Sequence, residues 1–135
     1  MKRLLASVLM CLLFPVASAY AIDAEKLAGE PTVYATVTKE PNPLLLGCYE
    51  RMRPSEFKRP NSYEYCLVKK GDKYAVYYYW KNGKTKEVTE GWSPFAIAGD
   101  MMISGTEPSR FLVEDGQVYH NYGDRTSKHK MRKTD

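Results

Sequence analysis

The sequence predicts a small all-β protein, an antiparallel meander that forms a closed or partly open barrel and carries one disulfide. Three observations support this fold class. Short stretches rich in β-branched and aromatic residues recur along the chain, and turn-forming residues separate them. No long stretch has the 3.6-residue period of an amphipathic helix. Beyond a leader-like N-terminus, two cysteines remain that can pair in an oxidising compartment.

Residues 1 to 21 have the composition of a secretory signal peptide. A basic start precedes an apolar stretch from residue 4 to residue 14, and Pro15 ends that stretch. Two small-x-small cleavage patterns follow, Ala-Ser-Ala at residues 17 to 19 and Ala-Tyr-Ala at residues 19 to 21. A transmembrane anchor is the competing interpretation, but it needs about 18 apolar residues. We therefore expect a periplasmic or secreted protein whose mature chain begins at Tyr20 or Ile22.

Cys48 and Cys66 are the cysteines of the predicted mature domain, because Cys11 lies in the leader. Cys11 is not in a lipoprotein context, since Met10 stands where such a signal has a small residue. We expect Cys48 and Cys66 to form one disulfide, and closing a loop of this length stabilises the fold by about 3 kcal/mol on the chain-entropy model.

Strand predictions follow one another from residue 32 onward. β-rich stretches cover residues 32 to 38, 44 to 52, 63 to 69, 73 to 80, 85 to 89, 101 to 104, 110 to 114 and 117 to 121. Gly71-Asp72, Asn82-Gly83 and Asp115-Gly116 are typical of two-residue hairpin turns. If the first two turns are centred on these pairs, Cys66 lies opposite Tyr77, and Tyr77 lies opposite Val88.

The disulfide creates a conflict of register between its two strands. Placing Cys48 directly opposite Cys66 puts Glu50 opposite Glu64, and like charges at facing positions are unfavourable. A bulge or a diagonal disulfide would avoid this contact, and the sequence leaves both open.

The predicted domain division is a signal peptide at residues 1 to 21, a β domain at residues 22 to 123 and a basic C-terminal tail at residues 124 to 135. The tail carries five cationic side chains and two aspartates. It is interpreted either as a solvated, frayed terminus or as a weak contact with an anionic envelope surface. The rest of the mature chain is close to neutral, and we expect no nucleic-acid partner.

No catalytic or metal-binding pattern stands out in the chain. His120 and His129 lack the spacing of chelating ligands, and His120 is expected to be an ordinary strand side chain. Glu114-Asp115 coincides with a predicted turn, and Ser93 and Ser104 lack a nucleophile context. We therefore expect a protein that is not an enzyme and holds neither metal nor cofactor.

The segment from residue 53 to residue 61, named here the proline loop, is the first candidate binding element. It contains two prolines, it lies between the paired cysteines, and it places an aromatic ring among cations. An aromatic anchor beside arginines is typical of interface hot spots, and a stiff loop loses little entropy on binding. Its candidate contact residues are Arg53, Phe57, Lys58 and Arg59; alternatively, Phe57 folds back onto the barrel.

The tyrosine-rich stretch from residue 74 to residue 80 is the second candidate. Alternation in a strand puts Tyr77 and Tyr79 on one face and Tyr78 and Trp80 on the other. We take Tyr77 and Tyr79 as candidate partner-binding residues. The alternative is a strand of good β-formers that packs beneath loops.

Small exported bacterial β proteins with one disulfide are similar, as a group, to periplasmic inhibitors of lysozyme and to immunity proteins against wall-degrading toxins. Ser104-Gly105 is similar to the serine-glycine motif of membrane-bound lysozyme inhibitors, but Pro108 and Ser109 stand where a tyrosine is expected. We therefore predict an exported protein-binding module, an inhibitor or immunity protein that blocks a cell-wall-acting enzyme. A barrel carrier of a lipid-like ligand and a structural envelope component are the alternatives.

Overall fold

The structure is a computed structural model that describes residues 20 to 52, 58 to 123 and 127 to 135. Its elements in chain order are α1 (Ala24–Leu27), β1 (Thr36–Lys39), a 3-10 turn (Pro43–Leu45), β2 (Gly47–Arg51), β3 (Ser62–Lys70), β4 (Lys73–Lys81), β5 (Val88–Ser93), β6 (Phe95–Ala98), β7 (Met101–Ser104), β8 (Ser109–Glu114), β9 (Gln117–Tyr122) and β10 (His129–Lys133). The strands form one curled half-barrel sheet in the order β1-β6-β7-β8-β9-β10-β2-β3-β4-β5. The predicted all-β fold with one disulfide is confirmed.

Two of the predicted hairpins have the expected turns, and the first also has the predicted register. Gly71-Asp72 joins β3 to β4, and Cys66 lies opposite Tyr77 as predicted. Asp115-Gly116 joins β8 to β9, and both residues have positive φ angles, of 51° and 74°. Positive φ at both central positions is the requirement of a type I′ turn, which matches the right-handed twist of the strands.

The prediction that Asn82-Gly83 forms a two-residue turn is wrong. Residues 82 to 87 form a longer connection, named here the capped loop, and Tyr77 lies opposite Trp92 instead of Val88. The Asn82 side chain causes the difference, because its Oδ1 accepts hydrogen bonds from the backbone N–H of Lys84 at 2.9 Å and of Thr85 at 3.1 Å. The register differs by four residues, an even number, so every β5 side chain keeps its predicted face.

The C-terminal segment forms a strand inside the sheet. β10 lies between β9 and β2, with Met131 opposite Arg51 and His129 opposite His120. Met131 is buried on the inner face. The interpretation of this segment as a frayed terminus is therefore wrong for residues 129 to 133.

Two elements differ from the predicted strands. Phe95–Ala98 forms β6, which pairs in parallel with β1 and was not predicted. Residues 44 and 45, predicted as the start of a strand, belong instead to the 3-10 turn Pro43–Leu45, where the Asn42 side chain accepts a hydrogen bond from the Leu44 N–H at 2.9 Å.

Aromatic side chains fill the inside of the half-barrel. Tyr65, Phe111 and His120 are fully buried, and the ring of Phe111 lies 4.5 Å from that of Tyr65 and 4.8 Å from that of His120. The inward ring of Tyr78 on β4 also packs against Phe111 and against Phe95. The inward face of β4 is therefore part of a packed core, and it does not line an open lipid-sized cavity.

The disulfide lies on the outer face of the sheet. Cys48 is directly opposite Cys66, and Glu50 is directly opposite Glu64, with neither a bulge nor a diagonal disulfide. The two carboxylates have different partners, which reduces the conflict of charge. Glu50 forms an ion pair with Arg132, and Glu64 accepts a hydrogen bond from the backbone N–H of Ala21.

Residues 20 to 28 lie across this outer face. Asp23 caps the short helix α1 by accepting a hydrogen bond from the Lys26 N–H at 3.1 Å. The Lys26 ammonium pairs with Glu90 of β5 at 2.7 Å, and Ile22 is buried. These contacts leave the outer tyrosines of β4 half-covered. Within the described residues, no helix is long and apolar enough to cross a membrane.

Candidate functional site

A charged cleft of about 430 Å³ lies where β2, β3 and β4 meet the capped loop and residues 58 to 60 of the proline loop. We name it the basic cleft. Its wall holds three tyrosines and two carboxylates, Glu50 and Glu64, but cations predominate. The cationic residues of the wall are Arg51, Lys58, Arg59, Lys81 and Lys86.

Close packing between two loops shapes one wall of the cleft. The Gly83 N–H of the capped loop donates to the Asn61 side chain of the proline loop at 2.9 Å. A Cβ atom on Gly83 would lie 2.1 Å from the carbonyl oxygen of Arg59 and 2.4 Å from that of Pro60. Only glycine permits so close an approach of two backbones. The contact brings Arg59 to the same cleft as Lys86.

The cleft has an excess of positive charge, because its wall holds five cationic side chains and two carboxylates, one of which has a cationic partner outside the wall. Glu50 is paired with Arg132, which lies outside the wall. Lys58, Arg59 and Lys86 are exposed, and Lys81 is half-buried. None of these four side chains forms a salt bridge with another residue of the described part of the chain. Clustered cations of this kind attract anionic groups and increase the rate of encounter.

Aromatic rings stand beside the cations at the base of the cleft. The Arg51 guanidinium lies 5.1 Å from the centre of the Tyr63 ring, within the range of a cation–π contact. Tyr79 reaches the cleft from the outer face of β4, and the Lys26 ammonium lies 5.9 Å from its ring centre. The arrangement offers a ligand both charge and flat apolar area.

The structure brings three of the sequence-predicted site residues together. Lys58 and Arg59 from the proline loop and Tyr79 from β4 all line the basic cleft. Tyr77 shares the outer face with Tyr79 but lies outside the wall, where its ring meets that of Trp92 at 5.4 Å. Burial, and then the nearby Glu90 carboxylate, raise the pKa of Tyr77. Arg53 and Phe57 fall outside the described residues.

Three cationic residues of the wall were not among the predicted site residues. Lys81 could have been found, because strand alternation puts it on the same face as Tyr77 and Tyr79. Lys86 has a positive φ of 65° in the capped loop, whereas the sequence predicts a strand over residues 85 to 89, so no local pattern places it at the cleft. Arg51 belongs to β2, and its guanidinium lies beside the Tyr63 ring of the paired strand β3.

A chain of hydrogen bonds runs through the core from His120 to Glu107. His120 Nε2 lies 3.0 Å from Ser109 Oγ, which lies 2.9 Å from the Tyr78 hydroxyl. Tyr78 donates its only hydroxyl proton to the Glu107 carboxylate at 3.0 Å. The Ser109 hydroxyl must therefore donate to Tyr78, and His120 Nε2 must donate to Ser109. This network fixes the tautomer of His120 with its hydrogen on Nε2.

The serine–histidine contact has the wrong polarity for a nucleophile and its base. A general base needs a free lone pair toward the hydroxyl, whereas the nitrogen of His120 that faces Ser109 carries a hydrogen. Burial, with smaller contributions from Arg51 and His129, lowers the pKa of His120 to about 3. Both residues are fully buried. The pair therefore has a structural role in the core.

Among the residues that the structure describes, no three histidine, cysteine, aspartate or glutamate side chains converge to hold a metal ion. Comparison of the chain with family models, curated proteins and solved structures finds no match to any of them. The geometry of the basic cleft is therefore the basis for a functional assignment.

Proposed function

We propose that this chain is an exported protein-binding module, an inhibitor or immunity protein that blocks a cell-wall-acting enzyme, and that the basic cleft is its contact surface. The observation that carries the proposal is the cluster of cations around a concave, tyrosine-lined site. A cleft of about 430 Å³ accommodates a projecting segment of a partner. The excess of positive charge calls for a segment that carries carboxylates.

The construction of the cleft supports a preorganised binding site. The Cys48–Cys66 bridge joins β2 to β3, the two strands that flank the proline loop in the sequence. The Gly83 contact holds residues 59 to 61 against the capped loop. A surface that is already ordered loses less conformational entropy on association. Tyrosine and arginine, which both occur in the wall, are the residue types enriched at interface hot spots.

The polarity of the buried polar network also favours a binding role. Ser109 and His120 are both buried, and His120 donates a hydrogen bond to Ser109, whereas a general base would accept one. The inward rings of β4 pack against other rings, which gives no support to the lipid-carrier alternative.

The proposal is tested by charge reversal inside and outside the cleft. Binding and inhibition would be measured for the disulfide-bonded protein against a panel of peptidoglycan-cleaving enzymes, including lysozymes and amidases. We expect at least one enzyme to be inhibited, and Arg59→Glu and Lys86→Glu each to weaken its binding by about 10-fold or more.

Lys84→Glu is the matched control, because Lys84 is an exposed cation of the same capped loop that does not line the cleft. We expect it to change the affinity by less than about 2-fold. Inhibition of no enzyme in the panel, or equal effects of Lys84→Glu and Lys86→Glu, would contradict the proposal.

A further inference from the structure

Tyr20 and Ala21, which lie between the two predicted cleavage sites of the leader, are built into the fold together with Ile22. The Ala21 N–H lies 3.2 Å and 3.3 Å from the two carboxylate oxygens of Glu64. The Ala21 carbonyl accepts a hydrogen bond from the Lys26 ammonium at 2.8 Å. Both backbone polar groups of Ala21 are therefore engaged, and the next residue, Ile22, is only 7% exposed.

Tyr20 and Ala21 are also part of the basic cleft, whose wall they share with Glu50 and Glu64. Glu64 is 7% exposed, so its carboxylate depends on protein donors such as the Ala21 N–H. Removing a donor from a buried carboxylate leaves a desolvated charge less well satisfied, which is costly. Loss of residues 20 and 21 would thus weaken the fold and open one side of the cleft.

The sequence offers two cleavage sites for the predicted leader, after Ala19 and after Ala21. A cut after Ala21 removes both of these cleft residues and puts a charged ammonium on buried Ile22, where desolvation of the charge is unfavourable. A cut after Ala19 retains every contact described above. It puts the ammonium on Tyr20, which is half-buried at the cleft.

We infer that the chain is processed at the Ala19–Tyr20 peptide bond, and that the new N-terminus becomes part of the basic cleft. A peptidase of the export pathway would hydrolyse this bond with one water molecule. The Ala19 carbonyl becomes a carboxylate, and the released Tyr20 amine takes up a proton. The mature cleft gains a positive charge that the precursor lacks, which increases its attraction for anionic groups. The inference rests on the predicted leader and is independent of the partner proposed above.

The first measurement is the intact mass and N-terminal sequence of the full chain after expression in an export-competent bacterial host. We expect a product that begins at Tyr20. A product that begins at Ile22, or a chain that keeps residues 1 to 19, would overturn the inference.

The second measurement compares two disulfide-bonded proteins made with defined N-termini, one beginning at Tyr20 and one at Ile22. We expect the shorter form to have a melting temperature lower by at least about 5 °C, because it loses the donor to Glu64 and carries its charge on a buried residue. Equal melting temperatures would show that residues 20 and 21 are dispensable and would overturn the structural basis of the inference. Neither measurement uses a binding assay. A failure of this inference can therefore be distinguished from a failure of the proposed function.

Discussion

The environment of His120 differs strongly from that of a free histidine side chain. Its ring lies between those of Tyr63, at 4.6 Å, and Phe111, at 4.8 Å, and its Nε2 donates into the core network. Its Nδ1 has no hydrogen-bond partner in the described part of the chain. A second proton would therefore have to be placed on a buried nitrogen without an acceptor, which explains why the pKa lies far below its ordinary value.

This depressed pKa predicts loss of stability in mild acid. The pKa of His120 is about 3 in the folded state, whereas the ordinary pKa of a solvent-exposed histidine is 6.5. Between these values the unfolded chain binds a proton that the folded chain does not, so the free energy of unfolding falls as the pH falls below 6.5. We expect a loss of about 2 to 3 kcal/mol between about pH 7 and about pH 4.5, measured by urea unfolding. His120→Gln should flatten this dependence, and an equally steep dependence in that variant would contradict the assignment.

Gly83 is a second residue whose role comes from packing. Its φ is not in the positive range, so the turn chemistry predicted for it does not explain the glycine. Gly83→Ala puts a methyl group into the backbone of Arg59 and should separate the two loops. We expect a loss of about 1 to 3 kcal/mol in thermal unfolding, as for other overpacked sites.

Gly29→Ala is the control for this substitution, because a Cβ at Gly29 meets nothing within 4 Å. It should be neutral to within about 0.5 kcal/mol. If Gly83→Ala unfolds at the same temperature as Gly29→Ala, the close contact between the loops is not a constraint on the fold.

At the level of elements, β10 makes the half-barrel sheet continuous. It is the last strand in chain order and lies between β9 and β2. It therefore joins the strands from β6 to β9 to the strands from β2 to β5. It contributes one fully apolar side chain to the core, that of Met131, while the strand is otherwise basic. The basic residues of β10 are therefore part of the hydrogen-bonded sheet.

Met131→Ala tests the role of this strand. The side chain is 2% exposed, and truncation of a buried methionine to alanine removes about 2 to 5 kcal/mol of stability. Lys130→Ala, on the neighbouring exposed position of the same strand, should change the melting temperature little. Similar small effects of both substitutions in thermal unfolding would mean that β10 is not needed to hold the sheet together.

The elements that could be predicted from sequence are those whose geometry is set by adjacent residues. The hairpins at Gly71-Asp72 and Asp115-Gly116 depend on turn residues and strand alternation alone. Both turns agree with the prediction, and so does the register of the first hairpin. β10 has a single apolar residue between charges, so only its tertiary neighbours define it as a strand. The capped loop depends on the side-chain hydrogen bonds of Asn82, which override the two-residue turn.

The same division applies to the cleft. Lys58, Arg59 and Tyr79 could be named because a stiff loop and an alternating strand are visible in the sequence. Lys86 joins them only through the approach of two loops, which is a long-range feature. The excess of charge at this site is therefore a property of the folded chain.

For the molecule as a whole, the distribution of charge matters more than its net value of +4. Acidic and basic side chains pair at several places on the outer surface, including Lys26 with Glu90 and Lys128 with Glu114. The basic cleft combines five cations with two carboxylates that have other partners. Such a local electrostatic field increases the rate at which a partner of opposite charge is encountered. Salt at about 0.1 to 0.15 M screens the field over a distance of about 8 to 10 Å.

This distribution predicts how binding kinetics depend on ionic strength. For an enzyme that the protein inhibits, the association rate should fall as salt is raised, whereas the dissociation rate should change little. Arg59→Ala should lower the association rate and make it less sensitive to salt, because Arg59 is an exposed cation at the edge of the cleft. Lys84→Ala should leave both properties close to those of the wild type. Surface plasmon resonance at several salt concentrations measures these rates. An association rate that does not respond to salt would mean that contacts other than the charges of the cleft control the encounter.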